Sequence, residues 1–244
     1  MTCNLISRGE VMKKFSILGI SLVDLSAREG LRQAERFLHN GALNTATYIT
    51  AKTLTSAAGS QELKELLEDT DLTICVEPDI LEAAGIASAG RVREIEERIF
   101  LREFLRRLAR QKERICILAD TKQQAEAFAD SLLEQQGNLN IAECKGYDEF
   151  EQQKERMMNS LNEVAPDVIF SRMTWPLDLE LMNSGRKFLN AELWMALPEV
   201  KLPKRARHDV FSGIRKKLFW KKVKNYNQEK AEEPKEESNG HIIS

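Results

Sequence analysis

Residues 114–144 read RICILADTKQQAEAFADSLLEQQGNLNIAEC. The short apolar run Arg114–Ala119 predicts a strand, Thr121–Gln135 a helix, and Leu139–Cys144 a second strand. A strand, a helix of that length and another strand make a βαβ unit, which demands parallel strands. The same rhythm extends in both directions. Upstream, Phe15–Gly19 predicts a strand, and Ser26 can cap a helix running to about Leu38. Thr47–Thr50 is a weak strand signal, Ser60–Glu68 a helix and Leu72–Val76 a β-branched strand. Asp79–Ala89 and Arg91–Gln111 read as helices. Downstream, a helix from Asp148 to about Val164 separates strands at Val168–Arg172 and Ala191–Leu197. The predicted fold is therefore α/β and Rossmann-like, a mainly parallel sheet with helices on both faces.

The chain has 244 residues, 42% apolar and 30% charged, which suits a soluble α/β domain with an appendage. No uninterrupted apolar run is long enough to span a bilayer. The start lacks an apolar core with a cleavage site, so secretion is not expected. Met12, preceded by Arg8-Gly9-Glu10-Val11, reads as the natural start of translation. Cys3, Cys75, Cys116 and Cys144 lie far apart, and the three histidines are scattered. That pattern fits a reducing compartment and predicts neither a disulfide framework nor a metal site.

In parallel α/β sheets ligands bind beyond the carboxyl ends of the strands, so the loops there are the places to look. After Val76 the chain reads Glu77-Pro78-Asp79. A carboxylate there is placed either as a general base or as the cap of the following helix. The stretch 91–111 carries seven arginines, able to grip a diphosphate or to form a solvated face with Glu94, Glu96 and Glu97. Gly146-Tyr147 follows one strand, and Met173-Thr174-Trp175-Pro176-Leu177-Asp178 another. Trp175 offers a ring for a sugar or base, or simply fills a groove. No Walker loop, GxGxxG, HExxH or GxSxG motif occurs.

The order of Ile17-Leu18-Gly19-Ile20, Asp24, Pro78-Asp79, Glu97-Arg98-Ile99, Gly146-Tyr147, Pro166-Asp167-Val168-Ile169 and Pro176 resembles the WecG/TagA/CpsF family of bacterial glycosyltransferases. The resemblance spans roughly residues 15–197. It implies transfer of an N-acetylmannosamine-type sugar from a UDP donor to a polyprenyl-diphosphate-linked acceptor, with inversion and without a tightly bound metal or other cofactor. It implies Asp79 as the base and Arg98 as a ligand of the donor phosphate. Thr50, Gly146, Tyr147 and Asp178 would complete the substrate site. Several family positions differ. Ile80 replaces a glycine, Lys52 an asparagine and Asp178 a glutamine, and the turn after Ala119 lacks its glycines. A carboxylate in place of an amide adds repulsion toward a diphosphate. A second reading is therefore a non-catalytic relative, acting as a membrane-associated scaffold or regulator.

The formal charge of −2 conceals a division. Residues 201–224 carry ten Lys/Arg against Asp209, a charge of +9, leaving −11 for the rest. Val210, Phe211, Ile214, Leu218 and Phe219 recur at helical spacing among these cations, with Trp220 at the boundary. This predicts a basic amphipathic helix, with Phe211, Arg215, Lys216, Lys217, Phe219, Trp220, Lys221 and Lys222 meeting an anionic membrane surface. A packed terminal helix is the alternative. Nucleic acid is not the expected partner, because the body is acidic. A homo-oligomer is left open. The predicted organisation is an α/β domain over 12–200, a membrane-association segment over 201–224 and a disordered tail over 225–244, on the inner face of the cell membrane.

Overall fold

The computed structural model describes residues 13–197 and 212–232, with side chains in the last helix described over 217–231. The proposed start at Met12, the basic stretch 201–211 including Phe211, the side chains of Arg215 and Lys216, and residues 233–244 lie outside the described residues.

The chain opens with a hairpin, β1 (Lys14–Ile17) and β2 (Ile20–Val23), paired antiparallel with Ile17 opposite Ile20. Its two turn residues, Leu18 and Gly19, both have positive φ, at 52° and 74°, as a tight two-residue hairpin loop requires. The expected first strand of the main sheet is thus half of a separate two-stranded unit. The elements α1 (Ala27–Phe37), β3 (Asn44–Ile49), α2 (Ala51–Ala57), α3 (Gln61–Glu68), β4 (Leu72–Cys75) and α4 (Pro78–Ala83) follow. Then come α5 (Ala89–Glu96), α6 (Ile99–Gln111), β5 (Arg114–Ala119), α7 (Lys122–Gln135) and β6 (Asn140–Gly146). After a 3₁₀ turn at Tyr147–Phe150, α8 (Lys154–Val164), β7 (Val168–Arg172), α9 (Leu177–Gly185), β8 (Leu193–Ala196) and α10 (Ser212–Glu232) complete the chain.

Six strands form one parallel sheet in the order β4-β3-β8-β7-β5-β6, as the βαβ reading predicts. The weak signal at Thr47–Thr50 belongs to β3, every residue of which is buried. The polar residues Asn44, Thr45 and Thr47 interrupt its apolar run and so hid an interior strand. On one face α1, α6 and α7 cover an apolar layer that includes Phe100, Phe104 and Phe170. Phe104 stacks on Phe100 at 5.7 Å between ring centres and meets Phe170 edge-on at 6.2 Å. On the other face the hairpin, α2, α8, α9 and α10 close over a second layer around Trp194. Ser26 caps α1 through a full capping box with Glu29.

Four helices differ from expectation. That predicted over Asp79–Ala89 stops at Ala83, and that predicted from Asp148 to about Val164 is split into the 3₁₀ turn and α8, with positive φ at Glu151 and Gln152 between them. The predicted helix over Arg91–Gln111 is broken at Arg98, whose φ is 49°. The break lets α6 bury Phe100, Leu101, Phe104, Leu105 and Leu108 against the sheet while α5 turns over the carboxyl ends of the strands. The last helix runs to Glu232 instead of giving way to a tail after Lys224. It packs against α2 and α4, and Phe219 and Val223 enter the second apolar layer. Phe219 is 2% exposed, so it serves the protein core and not a membrane surface. Tyr226 continues that stripe and lies over the hairpin turn at Gly19, where a Cβ would come within 2.5 Å of its hydroxyl.

Candidate functional site

All six strand ends point the same way, and the predicted residues sort into three places along that edge. At the β3–β4 end stand Thr50, Glu77, Asp79 and Arg98. Thr50 is the N-cap of α2, its hydroxyl accepting the Thr53 amide at 3.1 Å. Glu77 is the N-cap residue of α4, and its carboxylate accepts the Ala51 amide at 2.8 Å, tying the two loops together. Pro78 supplies the first helical residue, a position where its missing N–H costs nothing. Asp79 follows in the first turn, so it is an acidic first-turn residue and not the cap.

Beside these loops is a small cleft lined by Ser26, Tyr48, Ile74, Arg91, Arg98 and Phe100, among others. Asp79, Thr50, Tyr147 and Asp178 do not line it. The left-handed backbone of Arg98 is uncommon for a residue with a side chain, and such strain concentrates at functional positions. It sends the guanidinium inward, where Nη1 is buried without a hydrogen-bond partner among the described residues. Burial works against the charge of Arg98, while Tyr48 and Glu77 favour it. Arg91 grips Asp24 at 2.9 Å and Glu94 at 2.6 Å, and Glu94 accepts the first α1 amide, Ala27, at 3.1 Å. The arginine-rich stretch is thus divided. Arg91 and Arg98 enter the cleft, whereas Arg93, Arg102 and Arg106 pair with Glu97 and Glu103 on the outer surface.

The second place is the β5–β7 boundary, where the following helices leave to opposite faces of the sheet. Such a switch point normally opens a ligand crevice. Here Asp120 bridges it, accepting the Thr174 amide at 3.1 Å and the Thr174 hydroxyl at 2.7 Å. Trp175 reaches across to α2, its indole donating to Ser56 Oγ at 2.8 Å. It is therefore a strut between its loop and α2 in this structure. Asp178 lies beneath, 4% exposed, accepting the Met173 amide at 2.9 Å. Burial pushes its carboxyl up to about 6, with Asp120 adding to the rise and Ser171, Met173 and Arg172 opposing it.

That shift has a sign. The folded protein holds the Asp178 proton between pH 3.8, the ordinary value, and about 6. Above that window the folded state carries a buried carboxylate that the unfolded chain solvates freely. Asp178→Asn is therefore expected to stabilise the protein at pH 8 by up to about 3 kcal/mol, following two pH units at 1.36 kcal/mol each. The gain should vanish at pH 4. Paired thermal unfolding curves at the two pH values measure it, and equal effects at both would reject a titrating Asp178.

The third place is the far edge. Gly146 ends β6, and a Cβ there would lie 2.2 Å from the Lys122 amide nitrogen, so only glycine lets the strand end meet the start of α7. Tyr147 is buried, and its hydroxyl donates to the Gln152 carbonyl at 2.7 Å. Four strand spacings separate β6 from β3, about 19 Å at the usual 4.8 Å. The structure therefore gathers Thr50, Asp79 and Arg98 at one end and leaves Gly146 and Tyr147 at the other, with Asp178 between. The reading of the sequence missed Arg91 as a cleft residue and Asp120 as the bridge. Asp24, 67 residues from Arg91, holds the first of these and gives no local signal.

Residues 15–199 match the glycosyl transferase WecG/TagA/CpsF family model. The chain belongs to the WecG/TagA/CpsF glycosyltransferase family. The match covers the hairpin, the whole parallel sheet and its helices, and stops before α10. No individual curated protein matches the chain. Membership identifies a glycosyltransferase fold of cell-surface polysaccharide synthesis, a class that uses sugar-nucleotide donors and lipid-linked acceptors. Among the described residues no group of three or more His, Cys, Asp or Glu side chains is arranged to hold a metal ion. No helix of the described residues is long and apolar enough to cross a membrane.

Proposed function

We propose that this protein transfers an N-acetylhexosamine-type sugar from a UDP donor to a polyprenyl-diphosphate-linked acceptor at the inner face of the cell membrane. One observation carries the reading. Arg98, at the position of the family's Glu-Arg pair, is bent into a cleft at the carboxyl ends of β3 and β4 and keeps a buried, unpartnered donor there. Asp79 stands in the first turn of the neighbouring α4, as a base for the acceptor hydroxyl. Purified protein should turn over a UDP-N-acetylhexosamine with a polyprenyl-diphosphate-sugar acceptor in vesicles. A UDP-sugar that binds the folded state should also raise its melting temperature. No turnover and no shift with any UDP-sugar would reject the reading.

Membrane association is supported by α10 in a different form from the expected one. Its Phe219–Val223–Tyr226 stripe is turned inward. Lys217, Lys221 and Lys224 fall on the opposite side at the same helical spacing, all exposed, flanked by Leu218 at 63% and Trp220 at 36% exposure. Lys222 instead donates to the Thr55 carbonyl of α2 at 2.7 Å. An anionic bilayer is thus met by a docked helix presenting lysines, each contributing about 1 kcal/mol near the surface. Replacing Lys217, Lys221 and Lys224 together by Glu should release the protein from anionic vesicles in a sedimentation assay. Unchanged sedimentation would assign membrane contact elsewhere.

The non-catalytic reading is kept for one reason: Asp79 and Asp178 do not line the cleft that Arg98 enters. It expects no measurable UDP-sugar binding by calorimetry, and tight, specific UDP binding would count against it.

A further inference from the structure

We propose that residues 173–178 form a hinged lid over the β5–β7 switch point, latched shut by Asp120 and Ser56 and governed by the buried Asp178 at its base. The inference is independent of which sugar or acceptor the protein uses. The segment is built to move as a unit. Leu177 donates its amide to the Thr174 carbonyl at 2.9 Å, and Leu179 donates to the Pro176 carbonyl at 2.9 Å, so it forms one continuous turn leading into α9. Its ends, Met173 and Asp178, are buried, whereas Thr174 is exposed and Trp175, Pro176 and Leu177 are half-buried. Trp175 and Leu177 rest on the second apolar layer. The bonds that hold the turn down lie at the surface: the Thr174 hydroxyl to Asp120 at 2.7 Å and the Trp175 indole to Ser56 at 2.8 Å. Water replaces such bonds on opening, so their net hold is modest.

Asp178 makes the shut position depend on charge. Its Oδ2 accepts the Met173 amide at 2.9 Å and so ties the two ends of the lid together. Its Oδ1 is buried with no hydrogen-bond partner among the described residues. A neutral carboxyl tolerates that burial, but a carboxylate leaves an unsolvated charge there. The charges acting on Asp178 are Asp120 from the end of β5, which opposes ionisation, and Arg172 from the end of β7, which favours it. Arg172 is itself stacked on the Phe128 ring of α7 at 3.9 Å. On α9 and α8, Glu180 and Glu155 bear on Tyr147. On α3, Glu68 accepts the Ser21 amide of the hairpin and Lys64 lies by the hairpin turn, while Lys52 on α2 is exposed. Lifting the lid releases Thr174 from Asp120 and lets water reach Oδ1. It also opens the crevice in which parallel sheets of this kind take ligands. With the carboxyl at about 6 when shut and at its ordinary 3.8 when open, the equilibrium moves about tenfold toward open between pH 5 and pH 8.

The test uses the full chain labelled with 5-fluorotryptophan and read by fluorine NMR. The chain has three tryptophans, and Trp175→Phe assigns the signal of Trp175. From pH 5 to pH 8 the ratio of solvent-exposed to shut Trp175 should rise about tenfold. The signal of Trp194, fully buried in the same layer, should stay unchanged, which separates lid opening from unfolding. Asp178→Asn should hold the pH 5 ratio across the whole range. Thr174→Val and Ser56→Ala alter exposed positions, where folding is not at risk, and each should raise the open population at both pH values. A Trp175 signal that does not change from pH 5 to pH 8 would overturn the proposal. So would an undiminished pH response in Asp178→Asn, which would remove Asp178 as the controlling group. No effect of either latch variant would mean that packing alone holds the turn, and would overturn the latch.

Discussion

Trp194→Ala is expected to destabilise the protein by about 4 kcal/mol, in the range measured for large aromatic deletions in cores. Trp194 is fully buried in β8, the third strand of six, and is the largest such side chain among the described residues. Its ring packs tightly under α9, with its Cζ3 only 3.0 Å from where a Cβ on Gly185 would lie. A close fit of this kind leaves little room for neighbours to relax into the void. The substitution also removes the indole donor that meets Ser171 Oγ at 2.9 Å, directly beside Asp178. Denaturant unfolding with a shared slope measures the loss. Trp194→Phe separates the two contributions, since it keeps most of the volume and should cost less. A loss below about 1 kcal/mol for alanine would mean that the sheet repacks around β8.

Asp79→Ala should lower turnover by about 10²- to 10⁴-fold while leaving UDP-sugar affinity within a few-fold of the original, as the loss of a general base would. The position is mechanically secure. Pro78 opens α4, and Ile80 and Leu81 are both fully buried beneath it. Asp79→Asn, which keeps the size of the side chain, and a thermal unfolding curve of each variant separate loss of the base from loss of folding. Turnover within a few-fold of the unaltered protein would move the base elsewhere. Asp120, which holds the β5–β7 switch closed through Thr174, is then the next group to test.

The legible part of the fold was the part encoded over short distances. Leu72–Val76, Arg114–Ala119 and Val168–Arg172 are apolar runs of strand length, and each is a strand of the sheet. Ser26 and Thr121 announce α1 and α7 by side-chain capping, which needs only residues three positions away. The elements that escaped notice had weak or competing local signals. β2 has only four residues, and α2 begins among threonines that favour strands over helices. The Arg98 break carries neither proline nor glycine, the usual signs of a helix end.

The site was legible in part for the same reason. Thr50 and Asp79 could be placed at strand ends because each follows its strand closely in sequence, whereas Arg98, read as mid-helix, was singled out only by the family resemblance. Their neighbours could not. Asp24 binds Arg91 across 67 residues, and Asp120 meets Thr174 across 54. Gly146 and Tyr147 resembled the other site positions in sequence yet lie about four strand spacings from Thr50, because the order β4-β3-β8-β7-β5-β6 is not the order of the chain.

The sequence by itself determined a parallel α/β body, a basic terminal helix and the residues that end each strand, since periodicity, capping and charge are local properties. Only the tertiary structure decided that Phe219 faces inward, that Arg98 enters a cleft balanced by carboxylates, and that Asp120 closes the switch point. Each of those depends on which distant segments pack together, and burial, not local propensity, sets that choice.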